Sequence, residues 1–139
     1  MQKLVIDSSV IVKGLNQQDE EHLVQADKIM KDLEENRIII FAPELAKYEI
    51  GNALLMRKML TAKDEVISLN TFFTLPIQFI NLSEELACET YKIAQETNIT
   101  YYDACFIALA KQENAVLVTD NPKHQGKNKK IYVISLSDY

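Results

Sequence analysis

At 139 residues, with 47% hydrophobic and 25% charged side chains, the chain has the size and composition of one globular domain, and we expect residues 1–139 to form a single domain. No apolar run is long enough to span a bilayer, and the first residues lack the long apolar segment of a signal peptide, so we expect a cytoplasmic protein without a membrane partner. The net charge of −5 argues against a nucleic-acid partner unless several acids are gathered in one site.

The first predicted strand, over residues 3–6, is a short apolar run that does not alternate with polar residues. This pattern is typical of a parallel strand that is covered by helices on both faces. Asp7, Ser8 and Ser9 follow the strand directly. Asp and Ser at this position favour the start of a short apolar helical turn over residues 10–15.

Apolar residues at helical spacing predict one helix over residues 19–35 and another over residues 61–73, and we expect both apolar faces to pack in the core. Between them lie a second strand at 37–41 and a helix that starts at Pro43, because the missing N–H of proline costs least at the first helical position. From the helices over residues 19–35 and 61–73, the side chains expected in the core are Leu23, Val24, Ala26, Ile29, Met30, Leu33, Val66, Ile67, Leu69 and Phe73.

The next strand is predicted over residues 76–80, and Pro76 indicates an outer position in the sheet. Ser83 favours the start of the following helix, whose apolar stripe includes Tyr91. A last strand is predicted over residues 131–134. Because strands alternate with helices along the chain, we expect an α/β fold with a mainly parallel sheet.

The stretch from residue 101 to residue 121 reads as a helix followed by a buried strand. Asp103 lies in the first turn of the helix, where the helix dipole favours a carboxylate. Asn114 interrupts the helical pattern, and residues 115–118 form a wholly apolar run of strand length. Asp120 therefore lies just beyond the carboxyl end of a strand, and ligands bind at that edge of open parallel sheets.

The cysteines and histidines do not indicate a site. Cys88 and Cys105 both fall in helical patterns with apolar neighbours, so we expect buried thiols and no disulfide. No histidine is near Cys105 in sequence, which disfavours a nucleophilic role for it. His22 and His124 lack the spacing of zinc ligands.

Four acids are candidates for one site. Asp7 and Asp120 each follow an apolar strand, Asp103 begins a helix, and Glu49 lies on an otherwise apolar helix face. Taken singly, each has an ordinary explanation as a cap, a turn residue or a partly exposed helix residue. Carboxylates gathered at close range repel one another, and all-oxygen ligands suit Mg²⁺ or Mn²⁺. If the acids meet, the chemistry indicated is metal-dependent phosphodiester hydrolysis.

At these residues the sequence resembles the PIN domain family, and within it the VapC-type ribonuclease toxins of prokaryotic toxin–antitoxin pairs. The resemblance is carried by DSS at Asp7, PELAKYEIGNAL around Glu49, YYDACFIALAKQ around Asp103, and LVTDN after a strand. It implies a three-layer α/β/α sandwich and a negatively charged pocket that binds Mg²⁺ or Mn²⁺. It also implies endoribonuclease activity on RNA, a homodimer, and inhibition by a cognate antitoxin protein.

The resemblance further implies roles for individual residues. Asp7 and Asp103 would be the principal metal ligands, and Glu49 would complete the ligand set or hold the attacking water. The small hydroxyl positions that support such a site correspond to Ser8, Ser9 and Thr119.

The fourth acidic position departs from the family pattern. Thr119 runs directly into Asp120, whereas another residue often separates the two, and by strict alignment Asn121 occupies the usual acid position. Either Asp120 turns into the site or Asn121 serves as a weaker polar ligand. The occupancy of a second metal position depends on this choice.

Two functions remain open on the sequence alone. The first is a metal-dependent ribonuclease in which a basic segment after Asp120 helps to hold RNA. The second is an interaction module that has lost catalysis and acts through its dimer or partner surface. A phosphorylated receiver-like domain is disfavoured, because the predicted third strand ends without an acid. The basic segment contains Lys123, His124, Lys127, Lys129 and Lys130.

Overall fold

The computed structural model describes residues 1–15, 22–56, 62–120 and 132–139. Within these ranges the chain forms five strands, six α-helices and one short 3₁₀ turn at Leu136–Asp138. The strands are β1 (Gln2–Ile6), β2 (Ile38–Pro43), β3 (Gln78–Ile80), β4 (Val116–Thr119) and β5 (Val133–Ser135). The helices are α1 (Ser8–Leu15), α2 (Leu23–Glu34), α3 (Leu45–Met56), α4 (Ala62–Thr74), α5 (Glu84–Thr97) and α6 (Tyr101–Glu113).

The strands form one sheet in the order β3-β2-β1-β4-β5, and every neighbouring pair is parallel. Crossovers between parallel strands are right-handed, so the helices that lead from β1 to β3 cover one face of the sheet. Helices α5 and α6, which lead from β3 back across the sheet to β4, cover the other face. The predicted three-layer α/β/α sandwich with a parallel sheet is confirmed, and β3 lies at the edge as Pro76 indicated.

Helix α6 is the centre of the hydrophobic core. Every side chain from Ala104 to Ala110 is buried, because α6 packs against β1, β2, β4 and α5. The Thr100 hydroxyl accepts from the N–H of Asp103 at the start of α6, and Asn114 ends the helix in the left-handed conformation that often closes helices. The chain then enters β4 directly, so α6 runs antiparallel to the strands and its first turn lies at their carboxyl ends.

The prediction that a helix starts at Pro43 is wrong. Pro43 is the last residue of β2, where it lies opposite Ile80 of β3, and the N–H of Glu44 donates to the Ile80 carbonyl at 3.0 Å. Pairing with the edge strand therefore extends β2 through the proline, and α3 begins at Leu45. A proline at the end of a strand leaves few ladder hydrogen bonds unmade.

The prediction that the apolar faces of two early helices pack in the core is only partly right. Helix α2 buries Ala26, Ile29 and Leu33 but exposes Val24. Helix α4 directs Phe72 into the core, where its ring contacts the ring of Phe79 edge-on at 5.6 Å. The apolar side chains of α4 that are more than half exposed, contrary to the prediction, are Val66, Ile67 and Phe73.

Helix α5 faces the core with only part of its predicted apolar stripe, which includes the buried Leu86. Ser83 caps the helix as predicted, accepting from the N–H of Leu86 at 3.1 Å. Thr90 and Ile93 are buried, whereas Tyr91 is exposed. Cys88 is also exposed, so the prediction of a buried thiol is wrong there, because the position lies on the solvent side of the α5–α6 contact; Cys105 on α6 is buried as predicted.

Several predictions fall on residues 16–21, 57–61 and 121–131, which lie outside the described residues. They are the start of the helix at residue 19, the first residue of the helix predicted over residues 61–73, the polar alternative Asn121, the basic segment after Asp120 and the first residue of the last strand. Among the helices of the described residues, none has the length and apolar character needed to cross a membrane.

A candidate carboxylate site at the carboxyl ends of β1 and β4

The acids meet where the order of the strands reverses direction. From β1 the chain leads to β2 on one side of the sheet, and it returns later to β4 on the other side of β1. The crevice at the carboxyl ends of such a pair of strands is where open parallel sheets bind ligands. Asp7 follows β1 and Asp120 follows β4, so both lie at this position. Together with Glu49 and Asp103 they are called the carboxylate site below.

Asp7, at the end of β1, is held in place by hydrogen bonds with β4 and with the start of α1. Its backbone N–H donates to the carbonyl of Val118 at 3.0 Å, which continues the β1–β4 pairing by one residue. Its Oδ2 accepts from the hydroxyl of Thr119 at 2.9 Å, and its Oδ1 accepts from the N–H of Ser9 at 3.2 Å. The sequence Asp-Ser-Ser therefore caps α1, as predicted, and both carboxylate oxygens of Asp7 are oriented by hydrogen bonds.

Glu49 reaches the same place from α3. It lies just over one turn into the helix and is half-buried, and its Oε1 accepts from the buried hydroxyl of Ser8 at 2.9 Å. Ser8 directly follows Asp7, so this single hydrogen bond ties α3 to the start of α1. A carboxylate on an apolar helix face requires such a partner, because burying it alone is costly. Ser8, Ser9 and Thr119, the three predicted supporting hydroxyl residues, all contact the site through side-chain or backbone hydrogen bonds.

Asp103 approaches from the opposite face of the sheet. It is the third residue of α6, which runs from the carboxyl ends of the strands towards their start. The carboxylate is near enough to Asp7 and Glu49 for its negative charge to raise the pKa of both. The structure therefore brings together three acids that lie 42 and 54 residues apart along the chain.

The pKa of Asp7 lies above its ordinary value, first because the carboxyl is buried and then because Asp103 and Asp120 are negatively charged. Hydrogen bonds from Ser9 and Thr119 oppose this rise. The pKa of Glu49 is also raised, again by burial first, with further contributions from the charges of Asp7 and Asp103. Acids in this arrangement favour either a proton or a bound cation over their free ionised form.

Asp120 has a partner that the sequence reasoning missed. Its Oδ2 lies 2.7 Å from the Nζ of Lys13, and both side chains are largely buried. Lys13 interrupts the otherwise apolar run of α1 in the sequence SSVIVKGL, which is the signal that could have identified it. Asp120 is thus near enough to influence Asp7 electrostatically, yet it forms an ion pair with a lysine. Asn121, the alternative for this position, lies outside the described residues.

An open cavity of about 330 Å³ lies beside Asp7, Glu49 and Lys13. Among the residues that the structure describes, no three acidic, histidine or cysteine side chains converge closely enough to form a ready metal cluster. The donor chemistry nevertheless fits a hard divalent ion, because the polar groups are carboxylates and hydroxyls and two of the carboxylates have raised pKa values. The cavity is lined by Asp7, Ser8, Ser9, Val12, Lys13, Glu49 and Ala53.

Cys105 lies on α6, two residues after Asp103. It is buried, and burial is the main cause that raises the pKa of its thiol above the ordinary value. A neighbouring negative charge on Glu49 raises the pKa further. A nucleophilic cysteine requires a lowered pKa and access to substrate, whereas the pKa of Cys105 is raised and its side chain is buried.

The fold and the site have the form of one known class of domain. A sequence model of the PIN domain matches residues 4–130, and the chain therefore belongs to the PIN domain family. The family predicted from the motifs is thus confirmed. No curated protein sequence matches the chain.

Solved structures have the same fold over nearly the whole chain. A chain in the structure of VapBC2 from Rickettsia felis has a TM-score of 0.73 at 17% identity, covering 96% of this chain and 98% of that chain. For VapBC from Salmonella typhimurium the TM-score is 0.72 at 15% identity, covering 98% and 99%. For VapC20 from Mycobacterium tuberculosis it is 0.69 at 9% identity, covering 88% and 93%. At these identities the likeness shows the fold.

Proposed function

We propose that residues 1–139 form one PIN-like domain that acts as a divalent-metal-dependent endoribonuclease in the cytoplasm, as the toxin of a VapBC-type toxin–antitoxin pair. The observation that carries the proposal is that Asp7, Glu49 and Asp103 lie at the carboxyl edge of the sheet, near enough for their charges to act on one another. Three separate elements bring these acids to one edge of the sheet, where Asp7 and Glu49 line the cavity, although the mutual repulsion of the acids destabilises the folded state. A fold that only needed to be stable would gain nothing from this arrangement.

The residues fit the binding of Mg²⁺ or Mn²⁺. A bound divalent ion activates water at neutral pH and neutralises charge that develops on a phosphoryl group. Asp7 and Asp103 are the proposed principal ligands, with Asp120 as a further acid at the rim. Glu49 either completes the ligand set or accepts a hydrogen bond from the attacking water, held in place by Ser8. Thr119 orients Asp7 by its hydrogen bond to Oδ2.

RNA is the proposed substrate on two grounds. VapC20, which shares the fold, is a toxin that cleaves the sarcin–ricin loop. The sequence also places Lys123, His124, Lys127, Lys129 and Lys130 directly after Asp120, and such a segment can position a phosphate backbone beside the carboxylates. The net charge of −5 does not oppose RNA binding if the acids of the site are neutralised by the ion.

A cognate antitoxin and a second copy of the chain are the proposed protein partners. VapBC-5 from Mycobacterium tuberculosis, which shares the fold, is a member of the VapBC family of toxin–antitoxin systems. On this chain, α4 exposes Val66, Ile67 and Phe73, and contiguous exposed apolar side chains are typical of partner surfaces. The exposed face of α4 is therefore the proposed surface for a protein partner.

The decisive experiment compares RNA cleavage by three purified proteins in the presence of Mn²⁺ and in the presence of EDTA. The wild type is expected to cleave structured RNAs only with Mn²⁺, and Asp7→Asn is expected to lose this activity. Asp27→Asn, on the exposed side of α2, is a matched acid-to-amide control and should cleave like the wild type. Equal cleavage by the wild type and Asp7→Asn would exclude the carboxylate site as the source of activity.

The second candidate is a PIN-like interaction module with weakened catalysis. It is favoured by the ion pair of Asp120 with Lys13, which leaves fewer carboxylates for metal. Calorimetric titration with Mn²⁺ separates the two functions, since a module of this kind would bind its partner without binding metal. Binding of Mn²⁺ by the wild type together with cleavage would exclude it.

A further inference from the structure

Lys13 is a cation that lies within the carboxylate site. Its side chain is only 13% exposed, and its Nζ is 2.7 Å from Oδ2 of Asp120. It lines the same cavity as Asp7 and Glu49. Within α1, which the structure describes in full, Lys13 is the single charged residue, and its neighbours Val10, Ile11 and Val12 are buried.

The position of Lys13 follows from how α1 is anchored. Asp7 caps α1 at the end of β1, and α1 then packs against β4, so a residue in its second turn comes close to the end of β4. Asp120 is the first residue after β4. An ammonium group loses much of its hydration when it is buried to this extent, and an anionic partner must compensate for that loss. The ion pair is therefore a built part of the site.

We propose that Lys13 is a permanent counter-charge in the carboxylate site. By holding Asp120, it limits the protein without bound RNA to one divalent ion, and that ion is bound by Asp7, Glu49 and Asp103. This inference rests on the proposed function, because it requires a divalent ion in the site. It also gives Asp120 a role at the fourth acidic position, which the sequence left open. Asp120 contributes to the site as the partner of a lysine.

The argument for one ion is electrostatic. Of the four carboxylates, Lys13 neutralises one and a divalent ion neutralises two more. A second divalent ion would need Asp120 as a ligand and would lie beside an ammonium group of like charge. Because the ammonium is covalently attached to the chain, its effective concentration at Asp120 is high, and millimolar free metal must compete against it. Lys13 thus leaves positive charge at the position where a second ion would otherwise neutralise a phosphate.

The test counts bound ions and does not depend on RNA cleavage. Mn²⁺ is titrated into each protein by calorimetry, and free Mn²⁺ is measured in parallel by its electron paramagnetic resonance signal. The wild type is expected to bind one ion per chain. Lys13→Met is expected to bind two, because Asp120 then becomes available, and Lys13→Arg is expected to restore a count of one.

Two further variants keep the inference open to contradiction if Lys13→Met folds poorly. Asp120→Asn, alone or combined with Lys13→Met, should bind one ion, because the second site requires the Asp120 carboxylate. Lys111→Met removes a lysine that pairs with Glu89 at 2.5 Å, near the opposite end of α6 from Asp103, and it should bind one ion like the wild type. A lysine with a merely structural role would leave the count at one in every variant.

The outcomes distinguish this inference from the proposed function. Two ions on the wild type, or one ion of unchanged affinity on folded Lys13→Met, would overturn the inference while metal-dependent cleavage could stand. Absence of Mn²⁺ binding by the wild type would overturn the proposed function and this inference with it. One ion on the wild type and two on Lys13→Met, with one on the double variant, supports the inference.

Discussion

Helices α6 and α4 both contain 13 residues and several large apolar side chains, yet they occupy opposite kinds of environment. Helix α6 buries every side chain from Ala104 to Ala110, and its first turn contributes Asp103 to the carboxylate site. Helix α4 packs against α1 and α3, buries Phe72 against Phe79 of β3, and exposes Ile67 and Phe73. The comparison teaches that apolar content predicts a helix but does not predict how much of its circumference will be covered.

The largest expected effect is on stability, from removing one aromatic ring on each helix. Phe106→Ala on α6 should lower the free energy of unfolding by about 3–5 kcal/mol, because it leaves a cavity in the core. Phe73→Ala on α4 should lower it by about 0.5 kcal/mol, because the ring is mostly in solvent. Urea denaturation measures both values. If both variants lost a similar free energy of unfolding, Phe73 would be buried in solution, and the two helices would not differ in their environment.

The next effect is on catalysis and compares acids at the same place in each helix. Asp103 and Asp64 are the third residues of α6 and α4, respectively. Asp103→Asn should reduce Mn²⁺-dependent RNA cleavage on the order of 1,000-fold, because several kcal/mol of metal-assisted stabilisation is lost. Asp64→Asn should leave the rate within about 2-fold of the wild type, as single-turnover cleavage can measure. A comparable loss from Asp64→Asn would place α4 in the catalytic machinery.

A smaller effect sharpens the electrostatic side of the comparison. Burial, and then the charges of Asp103 and Asp120, raise the pKa of Asp7 above its value of 3.8 in an unfolded chain. The folded state therefore binds more protons between the two pKa values, and stability falls as the pH rises through that interval. In EDTA at pH 7, Asp7→Asn should raise Tm by about 2–4 °C for each ~1 kcal/mol by which the cost of burying the charge and its repulsion are relieved, and the difference should vanish at about pH 3.

Thermal unfolding followed by circular dichroism at several pH values checks this expectation. Asp64→Asn on α4 is the matched control for replacing an exposed acid by an amide. A lower Tm for Asp7→Asn at pH 7 would mean that the hydrogen bonds from Thr119 and Ser9 outweigh the electrostatic cost of the charge. With Mn²⁺ present the order should reverse, because the wild type gains the free energy of ion binding.

The smallest effect on stability concerns the exposed face of α4. Ile67→Ser should change the free energy of unfolding by no more than about 0.5 kcal/mol, since the side chain is already more than half exposed. It should nevertheless weaken association with an antitoxin or a second copy by about 10-fold, measured by sedimentation or by binding to the purified partner. Unchanged association for Ile67→Ser and Phe73→Ala together would move the partner surface away from α4.

Much of the fold could be predicted from the chain because its local signals agree with one another. The unalternating apolar strands indicated a parallel sheet, and the caps at Asp7, Ser83 and Asn114 marked real helix boundaries. The preference of proline for the first position of a helix gave a wrong prediction at Pro43, because pairing between strands extended β2 through that residue. Long-range pairing is not visible in a local preference.

The candidate site was predictable only in part. Asp7, Glu49 and Asp103 were identified from their positions at strand ends and on an apolar helix face, and the structure brings all three together. Lys13 was missed, because a lysine in a short apolar helix reads as an exposed residue until its partner is known. Its pairing with Asp120 depends on the approach of α1 to the end of β4.

The sequence by itself determined the alternation of strands and helices, the family, and the acids that are candidates for a site. Only the tertiary structure decided which apolar faces are covered, that Ser8 joins Glu49 to the start of α1, and that the fourth acid is paired with a lysine. The physical reason is that spacing along a chain reports local conformation. Burial, repulsion and ion pairing depend on distances between residues that are far apart in sequence.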